Sequence, residues 1–562
     1  MIPLFSKIAK WPSWFKIIVF IYAGLVVSGL IVLSIWIAVA DEKPEKTQTG
    51  VSQTQESETI QTSQATDAVT TSVESGTTSV TTKGFSNAAT TKVSTSATSK
   101  PTTKATTQVN GNIKLYSAPS SMTSSVICKV EVNGKECFVY ETNVNYRRLS
   151  PLGNARDVLQ LEKAPVAIWD MEGKATVTVT LPDNIIDSAT VKPLSSAIKT
   201  NIKGKTVTLV ISKPGQYVVE FNNSTHDALH LFVNPLDKNP PTQSSSGLLY
   251  YGPGIHEVGA VYLQSNQNVY IAGGAVVRGW FVGSYVNNVK IYGSGIVDGS
   301  IYPRYKPDGY GSAAHPPIQF SKSSNIELDS ITFLDPAGWT VNTYHCSNVK
   351  VNNVKIISSR QNGDGITTQS CTNQRVTNCF VRSWDDSLVV KAYEGNVRDI
   401  SFDNCILWTD LAQSCEVGYE TRGDVMENIS FTNITVLHNF HKAVLSIHNG
   451  DRATVQNVVF KNIVVEDAQM GTGDGSDLLI DITIDDGIWS KENKRGQVRN
   501  VIYENIFVLG GKSAGSRIMG YDSNHTVEGV CIKNVMIKGQ KINSLSKGKF
   551  ATNQYISDIR FE

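Results

Sequence analysis

Several things are scarce in this chain, and each shortage removes a class of explanation. Only 8 of its 562 residues are cysteine, and no CxxC or Cys/His spacing suits zinc. Four of them, Cys346, Cys371, Cys379 and Cys405, form pairs 25 and 26 residues apart, so they are expected to stack as small buried apolar groups. Charge is nearly balanced, with a formal net value of +1, which gives no reason to expect nucleic acid as a partner. No metal or other cofactor is expected. Between Thr47 and Asn110 large aliphatic and aromatic residues are almost absent, while 30 of the 64 positions are Ser or Thr. A segment of that composition has nothing from which to build a core. It is expected to be an exposed linker, spanning 41–110.

Residues 17–40 carry no charge over 24 positions, long enough to cross a bilayer. Lys7, Lys10 and Lys16 precede this run, and Asp41 and Glu42 follow it. The positive-inside rule then predicts a cytoplasmic tail at 1–16, a transmembrane signal-anchor at 17–40 and an extracellular remainder. Cleavage after Ala40 is the alternative, and it also exports the rest.

What the chain has in quantity is a repeat. The pattern Asn-apolar-x-apolar-x-Asn-apolar-x-apolar appears as NVKVNNVKI from Asn348, NISFTNITV from Asn428, NVVFKNIVV from Asn457 and NVIYENIFV from Asn500, with looser copies from Asn325, Asn373 and Asp399. The first apolar positions are mostly 23 to 29 residues apart. Alternation with period two is strand chemistry, and Asn tolerates the left-handed backbone that a corner between short strands requires. Strands recurring at this interval without helices between them predict a right-handed parallel β-helix over 245–562. Ahead of it, residues 111–238 hold several alternating runs and an Asn133-Gly134 hairpin signal, which predict a small β-sandwich. The fold class is therefore all-β.

Chemistry concentrates between Gln361 and Lys391, where Asp364 lies between two glycines and Asp385-Asp386 follow Trp384. The interval from Asp364 to Asp385 is 21 residues, close to one repeat, so the carboxylates are expected to stack on neighbouring coils. Parallel strands lie about 4.8 Å apart, which puts these groups roughly 5–10 Å from each other. Two acids at such a separation suit inverting glycoside hydrolysis: one protonates the leaving oxygen and another activates water. Adjacent like charges are one way to separate their proton affinities. A later acidic group, Asp481 with Asp485-Asp486, is expected to mark strand ends.

The segment Asn362-Gly363-Asp364-Gly365, followed by Asp385-Asp386, resembles the Asn-x-Asp-Gly and Asp-Asp motifs of glycoside hydrolase family 28, the polygalacturonase-like β-helix hydrolases. The preceding sandwich is similar to the arrangement in family 49, the dextranases and isopullulanases. This resemblance implies Asp385 as general acid, Asp364 and Asp386 as the groups that hold and activate water, and Lys391 as the polar residue ending the following strand. Asn362, Lys391, Glu416, Tyr419, Arg422, His448 and Trp339 are expected to bind substrate, here a polysaccharide or oligosaccharide, and the protein is expected to be a monomer. The departures concern the sugar. Where polygalacturonases carry Gly-His-Gly and Arg-Ile-Lys, this chain has AQSCEVGYET and AVLSIHNGD, which argues against plain galacturonan, although Arg422 leaves an acidic sugar open. A polysaccharide lyase or epimerase on the same fold, and a non-enzymatic surface carbohydrate-binding protein, are the competing functions.

Overall fold

The computed structural model describes residues 111–145, 161–306, 313–469 and 478–562. The segments expected at 1–16, 17–40 and 41–110 lie outside these residues. Among the described residues no helix is long and apolar enough to cross a membrane.

From residue 112 to residue 235 the chain forms two sheets. A five-stranded antiparallel sheet is built on Lys129–Val132, Ala175–Thr180 and Thr206–Ile211, and a six-stranded mixed sheet on Leu161–Glu172, Ser224–Pro235 and Gly215–Phe221. They share one core, with Val130, Val177 and Leu209 facing Trp169, Val219 and Leu231. The Asn133-Gly134 turn has positive φ at both positions, 49° and 73°, as a tight two-residue hairpin demands. In the five-stranded sheet, strand Ala175–Thr180 alternates buried and half-buried residues, because one face meets the core and the other meets water. Strands Leu161–Glu172 and Ser224–Pro235 instead contain unbroken buried runs. Their second face packs on the coil, where Val166 and Phe232 join Val276, Phe380 and Trp408.

From Leu248–Tyr251 to Ile556–Phe561 the described residues form thirty strands of one continuous sheet system. Pairing between successive coils is parallel; among the described strands the one antiparallel pair in it is Val527–Ile537 with Gln540–Ile542. The apolar positions of the repeat stand in one column: Ile326, Val349, Gln374, Ile400, Ile429, Val458, Val501 and Val530 are successive partners. The polar member, Gln374, is fully buried and tied to the hydroxyls of Thr343 and Thr368 at 2.9 and 2.7 Å, so its burial leaves no amide group unsatisfied. Rings stack along a second column, with Phe402, Phe431, Phe460 and Tyr503 at centroid separations of 4.8–5.0 Å, the spacing of parallel strands.

The repeated asparagines make the corners. Asn325, Asn348, Asn373, Asn428, Asn457 and Asn500 all adopt positive φ, as do Asn378, Asn404, Asn433, Asn462 and Asn505. Their side chains form two ladders in which amides donate to the rung before, for example Asn348 to Asn325 at 3.0 Å and Asn404 to Asn378 at 2.7 Å, interrupted where Asn433 donates to Asp403. A left-handed corner is tolerated by Asn, and the ladder bonds repay what strain remains. All eight cysteines are free and buried; the Cys346 amide donates to the Cys371 sulfur at 3.3 Å, the stacking that a 25-residue interval implies.

Candidate active site

The acids occupy the corner between strand Phe380–Ser383 and strand Leu388–Ala392, and its counterpart one coil earlier. Ile366 pairs with Leu388, so the coil interval here is 22 residues, and Asp364 stands level with Asp386 where the 21-residue spacing pointed to Asp385. The Gly365 amide donates to the Asp386 carbonyl at 2.8 Å, locking the two coils together. Gly365 is required for that approach, since a Cβ there would fall 2.4 Å from the Ser387 carbonyl oxygen and from Val381 Cγ1.

Asp364 and Asp386 are buried and Asp385 is half-buried. One oxygen of Asp364 lies 3.8 Å from Lys391 Nζ, and the other, Oδ1, has no hydrogen-bond partner. An unpartnered carboxylate oxygen aimed into a polar corner is costly unless something binds it, which suits a group that holds a water or a sugar hydroxyl. Burial, followed by the Asp385 charge, pushes Asp364 well above the usual carboxylate range, with Lys391 opposing. The same causes raise Asp386 to about 7. Asp386 Oδ1 accepts from the Gln413 amide at 3.2 Å, and the Asp386 amide donates to Asp385 Oδ1 at 3.1 Å. Lys391 also lies 3.4 Å from Glu420 and 5.3 Å from the Trp339 ring centroid. Burial opposes its charge, yet the surrounding carboxylates raise its proton affinity.

Beyond the trio lies a buried ionic chain. Glu416 pairs in register with Ser446, Ser446 with Asp481, and Asp481 with Arg517. The His448 imidazole fits between them: Nδ1 is 2.9 Å from Glu416 and Nε2 is 3.1 Å from Asp481, while Arg517 grips Asp481 through two 2.7 Å bonds. Burial alone would lower the His448 proton affinity, but the Glu416 charge and the bonds to Asp481 and Glu416 raise it to about 10. It is therefore an imidazolium. The Tyr419 ring stacks on it at 4.2 Å and 3°, and Gln413 Nε2 donates to the Tyr419 hydroxyl at 3.1 Å. Through Gln413 this arrangement reaches Asp386.

The structure thus brings together Asp364, Asp385, Asp386, Lys391, Glu416, Tyr419 and Trp339. His448 is present too, with both ring nitrogens engaged by carboxylates. Arg422 lies to one side, over the Tyr393 ring at 4.2 Å and 3.5 Å from Glu394. Asn362 is exposed and its carbonyl oxygen accepts from Arg304. Arg517, Gln413 and Lys442 were not legible in advance. Lys442 approaches closely enough to lower the proton affinity of Asp386. The column Glu416, Ser446, Asp481, Arg517 has intervals of 30, 35 and 36 residues. Irregular loops hide such a column from any fixed period.

A family model, glycosyl hydrolases family 28, matches residues 255–553. A polygalacturonase of Arabidopsis thaliana is 21% identical over 48% of this chain and 62% of its own length. An Aspergillus niger protein described as a galacturan 1,4-alpha-galacturonidase is 27% identical over 41% of this chain and 52% of its own. The chain thus spans less than two thirds of these relatives. Among solved structures, Dex49A from Penicillium minioluteum superimposes with a TM-score of 0.53 at 16% identity, covering 80% of this chain and 96% of that one, a likeness of fold.

Proposed function

Because the chain belongs to glycosyl hydrolases family 28 and is therefore a glycosidase, we propose that it hydrolyses the O-glycosidic bond of a polysaccharide with inversion at the anomeric carbon. The observation that carries this reading is the asymmetry of the three carboxylates. Asp364 and Asp386 are buried on adjacent coils and share Lys391 as counter-charge, whereas Asp385 is more exposed. The more exposed acid can reach a glycosidic oxygen in the cleft and give it a proton. The buried pair is placed to orient a water and take its proton as it attacks the anomeric carbon from the opposite face. A base with a proton affinity near neutrality suits that task.

The pH dependence tests the assignment. If Asp386 works ionised, kcat/KM rises with pH up to about 7. A profile that falls through 7 instead makes Asp386 the proton donor. Product analysis by NMR should show the inverted anomer first; retention would overturn the water-activation role.

The sugar is read as neutral. Ser446 and His448, standing where polygalacturonases carry Arg and Lys, are both engaged by Glu416, and Lys391 is shared by Asp364 and Glu420. None is available to a uronate. Polygalacturonic acid is expected to be cleaved poorly relative to neutral glycans, read as reducing ends released. The observation favouring an acidic sugar is the Lys442 charge, which opposes the raised proton affinity of Asp386. Efficient polygalacturonate cleavage that Lys442→Met abolishes would establish that second reading. The cell-surface location follows from residues 17–40 and is part of the proposal: protease added to intact cells should remove the catalytic portion, and full protection would exclude it.

A further inference from the structure

A groove of about 580 Å³ runs along the flank of the coil where the sandwich meets it, within the size range of ligand sites. It is separate from the acids. They occupy the corner after strand Phe380–Ser383, while the groove follows the corner before it, where Asn378 sits. Gln216 and Asp237 contribute from the sandwich side; Tyr292, Asn352, Asn378 and Asn404 contribute from the coil.

The coil wall is a ruler of amides. Asn404 stands level with Asn378 and donates to it at 2.7 Å, one strand spacing of about 4.8 Å away and close to the length of one pyranose in an extended glycan, while Asn378 donates diagonally to Asn352 at 2.8 Å. Each ladder amide uses one N–H on its neighbour and keeps a second. The ladder then breaks: Asn433 donates to Asp403 at 2.7 Å, so the Asn404 carbonyl oxygen is not used by the next rung. Tyr292, braced edge-on by Tyr270 at 5.0 Å, supplies an aromatic surface, and Lys290 over its ring is paired with Glu327. Gln216 is buried, and its amide donates to Asn353 at 2.6 Å and to the Asn378 carbonyl at 3.0 Å, which fixes the sandwich wall against the ladder. Among the described residues, the charged groups lining the groove are the carboxylates Asp237 and Asp329, and no Lys, Arg or His lines it. A uronate chain would be repelled and a peptide's strand repeat of about 3.3 Å does not match the rungs.

We propose that this groove is an accessory site for a stretch of neutral glycan, held by amide and hydroxyl hydrogen bonds beside an aromatic ring. The proposal rests on the reading that the protein acts on a polysaccharide, and it gives the sandwich the task of forming one wall.

The test is affinity electrophoresis of the full chain in gels containing dextran, soluble starch, xylan or polygalacturonate. At least one neutral glycan is expected to retard the protein, and polygalacturonate is not. Asn378→Trp, which fills the groove from an exposed rung, should weaken that retardation at least tenfold. Tyr292→Ala should weaken it and Tyr292→Phe restore it, which keeps the test decisive if Asn378→Trp does not fold. Turnover of a short soluble oligosaccharide, an activity of the acid corner, should be unchanged in all three variants. Absence of retardation by every neutral glycan, equal retardation by polygalacturonate, or retardation indifferent to both substitutions would overturn the proposal. Failure of short-substrate turnover in the unaltered chain would instead overturn the hydrolase mechanism, so the two outcomes are distinguishable.

Discussion

Asp385→Asn is expected to lower turnover by about 10²–10⁴-fold, the usual contribution of a positioned proton donor, while the melting transition stays where it is. The amide is isosteric but has no proton to deliver to the leaving oxygen, and Asp385 is only half-buried, so the exchange leaves no buried charge uncompensated. Asp364→Asn and Asp386→Asn should be similarly severe, because the attacking water then lacks its base. Asp485→Asn is the comparison. Asp485 lies beyond strand Leu478–Ile484, several coils along, and its neighbour Asp486 pairs with Arg495 at 2.7 Å. It should retain most activity. Loss of activity in Asp485→Asn with retention in Asp385→Asn would move the active site to that later group.

The largest loss of stability is expected from His448→Leu. The imidazolium is the shared counter-charge of two buried carboxylates, Glu416 and Asp481. Removing one member of a buried ionic group leaves the others unpaired, at a cost of about 3–5 kcal/mol. Arg517 continues to hold Asp481, so Glu416 bears most of the loss. The pH dependence has a definite sign. The His448 proton is bound more tightly in the folded chain, at about 10, than in the unfolded chain, near 6.5. Its contribution is therefore complete below pH about 6.5 and disappears as pH rises through 10. The difference in denaturation midpoint between the native chain and His448→Leu should be widest at pH 6 and should narrow towards pH 10. A gap independent of pH would show that the imidazole is neutral and acts by packing alone. Activity should fall as well, because Tyr419 loses the ring it stacks on and Gln413 loses its fixed partner.

Two effects set how much of this molecule is legible in its sequence. Period-two alternation and the positive-φ tolerance of Asn are local properties, so the coil of Ile326, Val349, Gln374 and Ile400, and the corners at Asn348 and Asn428, follow from residues a few positions apart. The Asp364 and Asp385-Asp386 motifs are legible for the same reason, since they lie within one coil of each other. The 22-residue register that sets Asp364 level with Asp386 depends on how the intervening corner folds, and spacing alone misses it by one.

The sequence by itself therefore determined the strand class, the coil, its corners and the acid trio. Only the tertiary structure decided what surrounds that trio. Arg517 comes to Asp481, and Asp481 through His448 to Glu416, across loops that make successive intervals of 30, 35 and 36 residues. His448 acquires its charge from two carboxylates on other coils. The buried runs of Leu161–Glu172 and Ser224–Pro235 are explained by a second packing face that the coil supplies. Local periodicity is written in neighbouring residues, whereas burial, charge compensation and proton affinity are set by atoms that meet only when distant coils stack, and no spacing rule carries that information.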